Sequence, residues 1–413
     1  MDMDAQQGGD GGGAGPLVLG PEFKADAHAR YARLRADGPV HRAQFFPGIE
    51  GWLVVGYDAA REALTHPALL KDPGPAARTL EAAGFVGHKP KVGLGGQMLE
   101  ADPPQHTRLR RLVSSAFSPR RTAGLAPRVA QIAHGLIDAM PPAGELDLVE
   151  AFTAPLPIRV IAELLGIPRA HEGDFRRWSS LALQVAHPEY ASSVASLHGL
   201  LADVIRSKRQ APADDLLSAL VAVRDEEDGQ LSEEELAGTA ALLVIAGHET
   251  TVNLLGNAVL ALLRHPDQLR LLRGSPELMP GAVEEFLRYD TSVERTTHRY
   301  AAEDLELAGV RIPRGAVVSV ALASAGRDAG VPGDADPAGL DVTRPSARHL
   351  SFGHGIHHCL GAPLARLEAT TALNILLDRV PAMELAVPAE SLSWVPAGMM
   401  RGVLALPVRY ARG

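Results

Sequence analysis

Cys359 is the only cysteine among 413 residues, and it stands in a run rich in glycine and histidine: His349-Leu350-Ser351-Phe352-Gly353-His354-Gly355-Ile356-His357-His358-Cys359-Leu360-Gly361. The residues that follow, APLARLEATTALNILL, read as a helix, so a loop delivers the thiol to a helix N-terminus. Amides at that end favour negative charge on sulfur, and a thiolate is a ligand for soft iron. The glycines let a backbone pass tight against a flat ligand where a Cβ would block it. Spacing alone leaves other readings open. An isolated cysteine is often a buried structural thiol. His354, His357, His358 and Cys359 are donors of the kind zinc takes, although four ligands within six residues converge poorly on one tetrahedron and the chain has no CxxC. A hydrolase nucleophile would need a partner histidine with its orienting group, which no segment supplies.

A second group of reactive types interrupts an apolar helix at Ala246-Gly247-His248-Glu249-Thr250-Thr251. Burying an acid and two hydroxyls to no purpose is costly, and a mid-helix threonine can bond back to a carbonyl one turn earlier. Beside Gly247, that arrangement would let the helix open to oxygen and water; the plain alternative is a polar notch facing solvent. The metalloprotease motif HExxH is excluded, because position 252 is Val252. Glu285 and Arg288 lie three apart on one helix face, which by spacing alone describes an ordinary solvated salt bridge. His106 and Arg110 lie one turn apart behind Asp102-Pro103-Pro104, where the prolines mark a helix start, and without context they read as a basic solvated face.

The elements that must carry these groups are mostly helices. Apolar residues recur at helical spacing in ADAHARYARLRADG, YDAAREALTH, PQHTRLRRLVSSAF, APRVAQIAHGLIDAM, FTAPLPIRVIAELLG and the long EEELAGTAALLVIAGHETTVNLLGNAVLALLRH. The stretches GWLVVG, LELAGVRIP, AVVSVAL and GVLALPVRY predict small sheets beside them, hence an α+β chain that is mainly α. A hydrophobic content of 46% suits a large core, and the net charge of -9 is spread along the chain, which argues against nucleic acid as a partner. The longest apolar stretch, near Ala237 to Gly247, falls short of the about 20 residues that a bilayer span needs, so no membrane anchor is expected. One cysteine excludes an internal disulfide and suits a reducing cytoplasm. Residues 1–16, rich in Gly and Asp, read as a disordered tail without signal-peptide character, and 17–413 as one large cytoplasmic domain.

Phe352, Gly353, Gly355, His357, Cys359 and Gly361 match every defined position of FGxGxHxCxG, the cysteine-loop signature of the cytochromes P450, and the chain resembles that family from about residue 17 onward. The resemblance implies the P450 fold: a single large helical domain with small β-sheets and a long central helix over the haem. It implies haem b (iron protoporphyrin IX) as cofactor, Cys359 as axial thiolate, and His357 facing a haem propionate, with Phe352, Gly353 and Gly361 forming the loop around the cofactor. Ala246 to Thr251 resembles the oxygen-activation motif (A/G)Gx(D/E)TT, which makes Thr250 the hydroxyl that hydrogen-bonds dioxygen and Glu249 the proton relay. Glu285 and Arg288 resemble the structural ExxR pair on the proximal haem side. His106 and Arg110 resemble HxxxR, whose members bind haem propionates through charge-assisted hydrogen bonds, and Arg299 stands where a third propionate ligand is found. AGRDAG departs from the family's usual ANRDP, with Gly326 for Asn and Ala329 for Pro, a change expected to loosen that turn.

Such a chain is a haem-thiolate monooxygenase that inserts one atom of dioxygen into an unactivated C–H bond, by hydroxylation or epoxidation. Oxidative coupling or desaturation is the alternative within that chemistry, and a non-catalytic haem ligand-binding protein the alternative outside it. Register along the long helix turns Leu242, Ile245 and Ala246 towards a substrate cavity; the loop from Lys71 to Leu99, Val293, Met399 and Met400 complete an apolar lining. The resemblance is closest to soluble bacterial members that tailor polyketides, macrolides or terpenoids, so a bulky apolar natural product is the expected substrate of a monomeric enzyme. The Ala- and Arg-rich composition is of the kind seen in high-GC actinobacteria. One cysteine cannot hold an iron–sulfur cluster, so electrons are expected from a ferredoxin and its reductase, for which Arg108, Arg111, Arg120 and Arg121 form a candidate docking patch.

Overall fold

The longest apolar run becomes one 32-residue helix, Glu233–Arg264, about 48 Å long at the α-helical rise. Its start is fixed by reciprocal capping: the Glu235 N–H donates to the Ser232 hydroxyl at 3.2 Å, and the Ser232 N–H donates to the Glu235 carboxylate at 2.8 Å. The C-terminal half is buried nearly all round, Leu254, Leu255, Ala258, Val259 and Leu262 together with the polar Asn253 and Asn257. Helices Pro155–Leu165, Tyr190–Gln210, Met279–Tyr289 and Ala362–Arg379 pack against it and bury the largest hydrophobic core. The computed structural model describes residues 16–46, 48–82, 96–117, 119–182, 188–223, 229–331, 336–345, 348–396 and 398–413. The tail expected over 1–16 therefore lies, except for Pro16, outside the described residues, as does 83–95 of the expected pocket loop.

Each helix read from periodicity is present, among them Ala27–Asp37, Tyr57–Thr65, Gln105–Ala116 and Ala126–Ala139. The strands are present too. A six-stranded sheet runs in the order Leu17–Val18, Val40–Phe46, Ile49–Val54, Val317–Val320, Arg299–Ala301, Leu69–Leu70. Two smaller cores cover its faces. A three-stranded sheet places Pro407–Ala411 between Ala382–Leu385 and Ala143–Asp147. The sequence AGELD of that last strand lacks alternation and is largely exposed, because it is an edge strand held by pairing with Pro407–Ala411 and not by a buried face.

Glu285 and Arg288 are both 0% exposed, so the surface salt bridge that spacing alone suggested is in fact a buried pair. Arg288 donates through Nε and one terminal nitrogen to the Glu285 carboxylate at 2.7 and 2.8 Å. Its remaining donors reach the carbonyls of Gly326, Pro337 and Gly339 at 2.9, 2.6 and 2.6 Å. Glu285 also accepts from Arg344 Nε at 3.0 Å and from the Asp341 N–H at 2.8 Å. The pair thus ties helix Met279–Tyr289 to the 336–345 segment that leads to the cysteine loop. The expected loosening at Gly326 is not what the structure has. A Cβ there would lie 2.6 Å from the Arg288 carbonyl oxygen, so glycine is what lets this turn close against the Arg288 backbone.

Replacing Glu285 by alanine should cost about 3–5 kcal/mol, because it leaves Arg288 buried and unpaired. Urea unfolding measures that loss as a lowered midpoint.

Candidate functional site

The cysteine loop is shaped by backbone bonds and by two residues at positive φ, Gly353 at 74° and Gly355 at 76°. The Cys359 N–H donates to the Phe352 carbonyl at 2.8 Å, and the His358 N–H to that of Gly355 at 3.1 Å. A Cβ on Gly355 would stand 3.0 Å from Thr65 Cγ2, so the loop lies directly on helix Tyr57–Thr65. Gly361 shows no such demand: a Cβ there would make ordinary contact with Cys359 Sγ at 3.9 Å. Phe352 is half-buried beneath the Arg366 guanidinium, 4.6 Å above its ring, and Arg366 is held by Glu284 at 2.6 and 2.8 Å.

Cys359 is solvent-accessible, yet most of its surroundings are protein. Burial pushes its thiol up, against opposing contributions from the Gly361 and Ala362 backbone and the Arg110 and Arg366 guanidiniums. Burial opposes the helix amides that the sequence reading expects to favour a thiolate, and a metal bound to the sulfur would favour the deprotonated form.

Above the loop, basic side chains converge without enough negative charge to balance them. The His106 and His357 rings approach to 4.3 Å between centroids, and neither His106 nitrogen nor His357 Nε2 has a partner. Burial, then the neighbouring His106, Lys71, Arg299 and Arg110, bring His357 down to about 3. Arg299 is buried, with its Nε unpartnered and a single long bond from a terminal nitrogen to the Leu69 carbonyl at 3.5 Å. Lys71 is also buried here, and Arg110 is half-buried. Asp102 is the carboxylate that acts on His106, Lys71 and Arg299 together, yet it forms an ion pair with none of them. Among the described residues Lys71, Arg110 and Arg299 form no ion pair, although the Asp102 carboxylate acts on Lys71 and Arg299, and Glu100 on Lys71. The orphaned nitrogens and these unpaired bases fit an anionic group such as one bearing carboxylates, as a haem does.

On the central helix, exposure separates residues that the sequence could not. Thr251 is buried, whereas Ala246 is exposed and Glu249 and Thr250 are half-buried. Thr250 donates back to the Ala246 carbonyl at 2.9 Å, as expected of a mid-helix threonine. The helix stays continuous through Gly247, whose Cβ position lies 3.1 Å from Ile161 Cδ1; the glycine serves packing and not a local opening. Leu242 is buried, Ile245 is half-buried, and Val293 pairs with Met400 in an isolated antiparallel bridge beside exposed Met399. The proposed docking arginines fare less well. Arg108 is engaged by Glu235 at 2.7 Å and by the Gln230 carbonyl, and Arg121 by the Ala116 carbonyl and Asp214. The Arg120 side chain lies outside the described residues.

Sequence reasoning missed two buried bases. Lys71 was read as the start of a pocket loop, and His248 only as an interruption. His248 hydrogen-bonds the Val244 carbonyl at 2.7 Å through Nδ1, and burial lowers it.

The Cytochrome P450 family model matches residues 158–274 and 276–381. Cytochrome P450 monooxygenase PikC of Streptomyces venezuelae is 48% identical over 399 residues, covering 96% of this chain and 94% of that one. The chain belongs to the cytochrome P450 family. A second P450 relative, the mycinamicin IV hydroxylase/epoxidase of Micromonospora griseorubida, is 42% identical over 92% of this chain and 94% of its own. The ligand-free P450 monooxygenase TamI superposes with a TM-score of 0.86 at 44% identity, over 95% of this chain and 94% of that one, which establishes the P450 fold. The protein is accordingly a P450 monooxygenase, an oxidoreductase that uses a haem iron, dioxygen, a substrate and electrons from redox partners. That removes the non-catalytic ligand-binding reading. Among the described residues no helix is long and apolar enough to cross a membrane.

Alkylation of the haem-free protein with iodoacetamide should reach half its maximal rate above the pH typical of a free cysteine, about 8.5. An apparent value at or below that of free cysteine would mean that the helix amides outweigh burial.

Proposed function

We propose that this P450 hydroxylates or epoxidises a bulky apolar natural product such as a polyketide, macrolide or terpenoid, using haem b and electrons from a ferredoxin and its reductase in the cytoplasm. The observation that carries the cofactor reading is the accessible Cys359 thiol two residues from His357, beside basic side chains with unpartnered nitrogens. Haem, once bound, supplies the iron at which dioxygen is activated. Cys359 would hold that iron, and His106, Arg110, Arg299 and His357 would hold its carboxylates. Phe352 and Gly353 keep the loop in place around the sulfur, and Gly361 begins the helix behind it.

Thr250 and Glu249 would manage protons. The Thr250 hydrogen is given to the Ala246 carbonyl, which leaves its oxygen free to accept. Glu249, its half-buried neighbour in sequence, would pass protons between solvent and that hydroxyl. Leu242, Ile245, Ala246, Val293, Met399 and Met400 would offer an apolar lining, which suits an apolar substrate held by shape. The relative named for acting on mycinamicin IV by both hydroxylation and epoxidation supports this substrate class and both outcomes.

Carbon monoxide added to the dithionite-reduced protein should give the strongly red-shifted Soret band of a thiolate-ligated haem; its absence would overturn Cys359 ligation. Thr250→Ala should keep haem and that band but spend reductant without product, read as a fall of roughly tenfold or more in product formed per NAD(P)H consumed. Unchanged coupling would refute the proton role of Thr250.

A further inference from the structure

Lys71 is a buried ammonium with no carboxylate partner among the described residues, a costly arrangement that calls for a reason. It follows strand Leu69–Leu70, which pairs antiparallel with Arg299–Ala301 so that Leu70 lies opposite Tyr300. Its Nζ donates to the His298 carbonyl at 3.0 Å, to the Thr297 carbonyl at 3.4 Å and to the Thr297 hydroxyl. Those are the two residues immediately before Arg299. Its own N–H, with that of Asp72, donates to the Asp102 carboxylate at 2.8 to 3.0 Å. The Asp102 carbonyl in turn accepts the His106 N–H at 2.9 Å, at the head of the helix that carries His106 and Arg110. Arg299 itself reaches back to the Leu69 carbonyl.

One residue therefore joins the two elements that carry His106, Arg110 and Arg299, and its charge acts on His357 as well. We propose that Lys71 is a positioning residue for the haem: it sets the spacing of the carboxylate-binding side chains and, with haem bound, supplies a positive charge beside them. This rests on the haem-thiolate reading above. Burial, with Arg299 adding to it, brings Lys71 down to about 7 in the protein alone, against the opposing pull of Asp102 and Glu100. Two haem carboxylates would reverse that loss and hold it protonated. Because its three N–H donors are already spent on the 297–298 backbone and hydroxyl, Lys71 acts through the field and through its neighbours, not as a direct ligand. A fixed cation near a haem disfavours the more positive ferric state, so it raises the reduction potential.

The test uses the full-length, haem-loaded protein and its Lys71→Met and Lys71→Arg variants. The readouts are haem release to excess apomyoglobin and the ferric/ferrous potential by spectroelectrochemistry. Lys71→Met should release haem roughly tenfold faster and show a more negative potential, while Lys71→Arg, which keeps the charge, restores the potential towards wild type. Reconstitution with haem dimethyl ester, whose carboxylates are masked, should bring wild-type and Lys71→Met release rates to within about twofold of each other. A Lys71→Met protein matching wild type in both release and potential overturns the proposal. So does an equal difference between the two proteins with haem and with its ester, since that would mark a merely structural lysine. If Lys71→Met does not fold, Thr297→Val removes one anchor and keeps the charge; it should release haem faster at an unchanged potential, and wild-type release there overturns the positioning role. The carbon monoxide band separates the two levels: its absence in the wild type defeats the haem-thiolate reading, whereas its presence with an unresponsive Lys71→Met defeats only the role of Lys71.

Discussion

Two opposite charges with no exposed surface, Glu285 and Arg288, hold the frame on which the site is built. Removing such a pair from water costs several kcal/mol per ion, and the attraction between them offsets this only when every remaining donor and lone pair finds a partner. That condition is met here. The guanidinium spends its five donors on the Glu285 carboxylate and on the carbonyls of Gly326, Pro337 and Gly339, while Arg344 and the Asp341 N–H complete the carboxylate. Helix Met279–Tyr289, the turn at Gly326 and the approach to the cysteine loop are thereby fixed relative to one another. On the same helix, Glu284 secures Arg366 over Phe352, so adjacent acids serve the frame and the loop in turn.

The basic cluster above Cys359 follows the opposite principle. The Glu285 network is closed within the chain. Among the described residues His106, His357 and Arg299 keep unpartnered nitrogens, and Lys71, Arg110 and Arg299 form no ion pair. An unbalanced group of cations is poor for the stability of the protein alone and favourable for the bound state, because an incoming dicarboxylate removes the penalty as it binds. The thiol behaves in the same way. Burial pushes the Cys359 thiol up and a metal on the sulfur would offset that, so iron and carboxylates would each complete something that the polypeptide leaves open.

On the central helix the relevant contrast is exposure within one turn. Thr250 and Thr251 are neighbours of identical chemistry, and only the first reaches accessible space, beside Ala246. Packing of Gly247 against Ile161 helps set that rotation, since a larger residue would push the helix away from Pro155–Leu165. The accessible hydroxyl and acid are thus products of helix–helix contact as much as of the motif.

Local chemistry was legible from the chain alone. The spacing of Phe352, Gly353, Gly355, His357, Cys359 and Gly361 identified the loop, and 3.6-residue periodicity identified the helices, because both depend on residues close in sequence. His106 with Arg110, and Glu249 with Thr250, were found for the same reason. The burial of Glu285 and Arg288 was not legible from their spacing, which an exposed bridge shares, and the engagement of Arg108 by Glu235 depends on a residue 127 positions away. The sequence determined which groups exist and which lie one turn apart. Only the tertiary structure decided which of them lost water, which kept an unpaired nitrogen and which, like Lys71, became a buried cation, because dielectric surroundings and charge balance are sums over atoms that the fold brings together from distant parts of the chain.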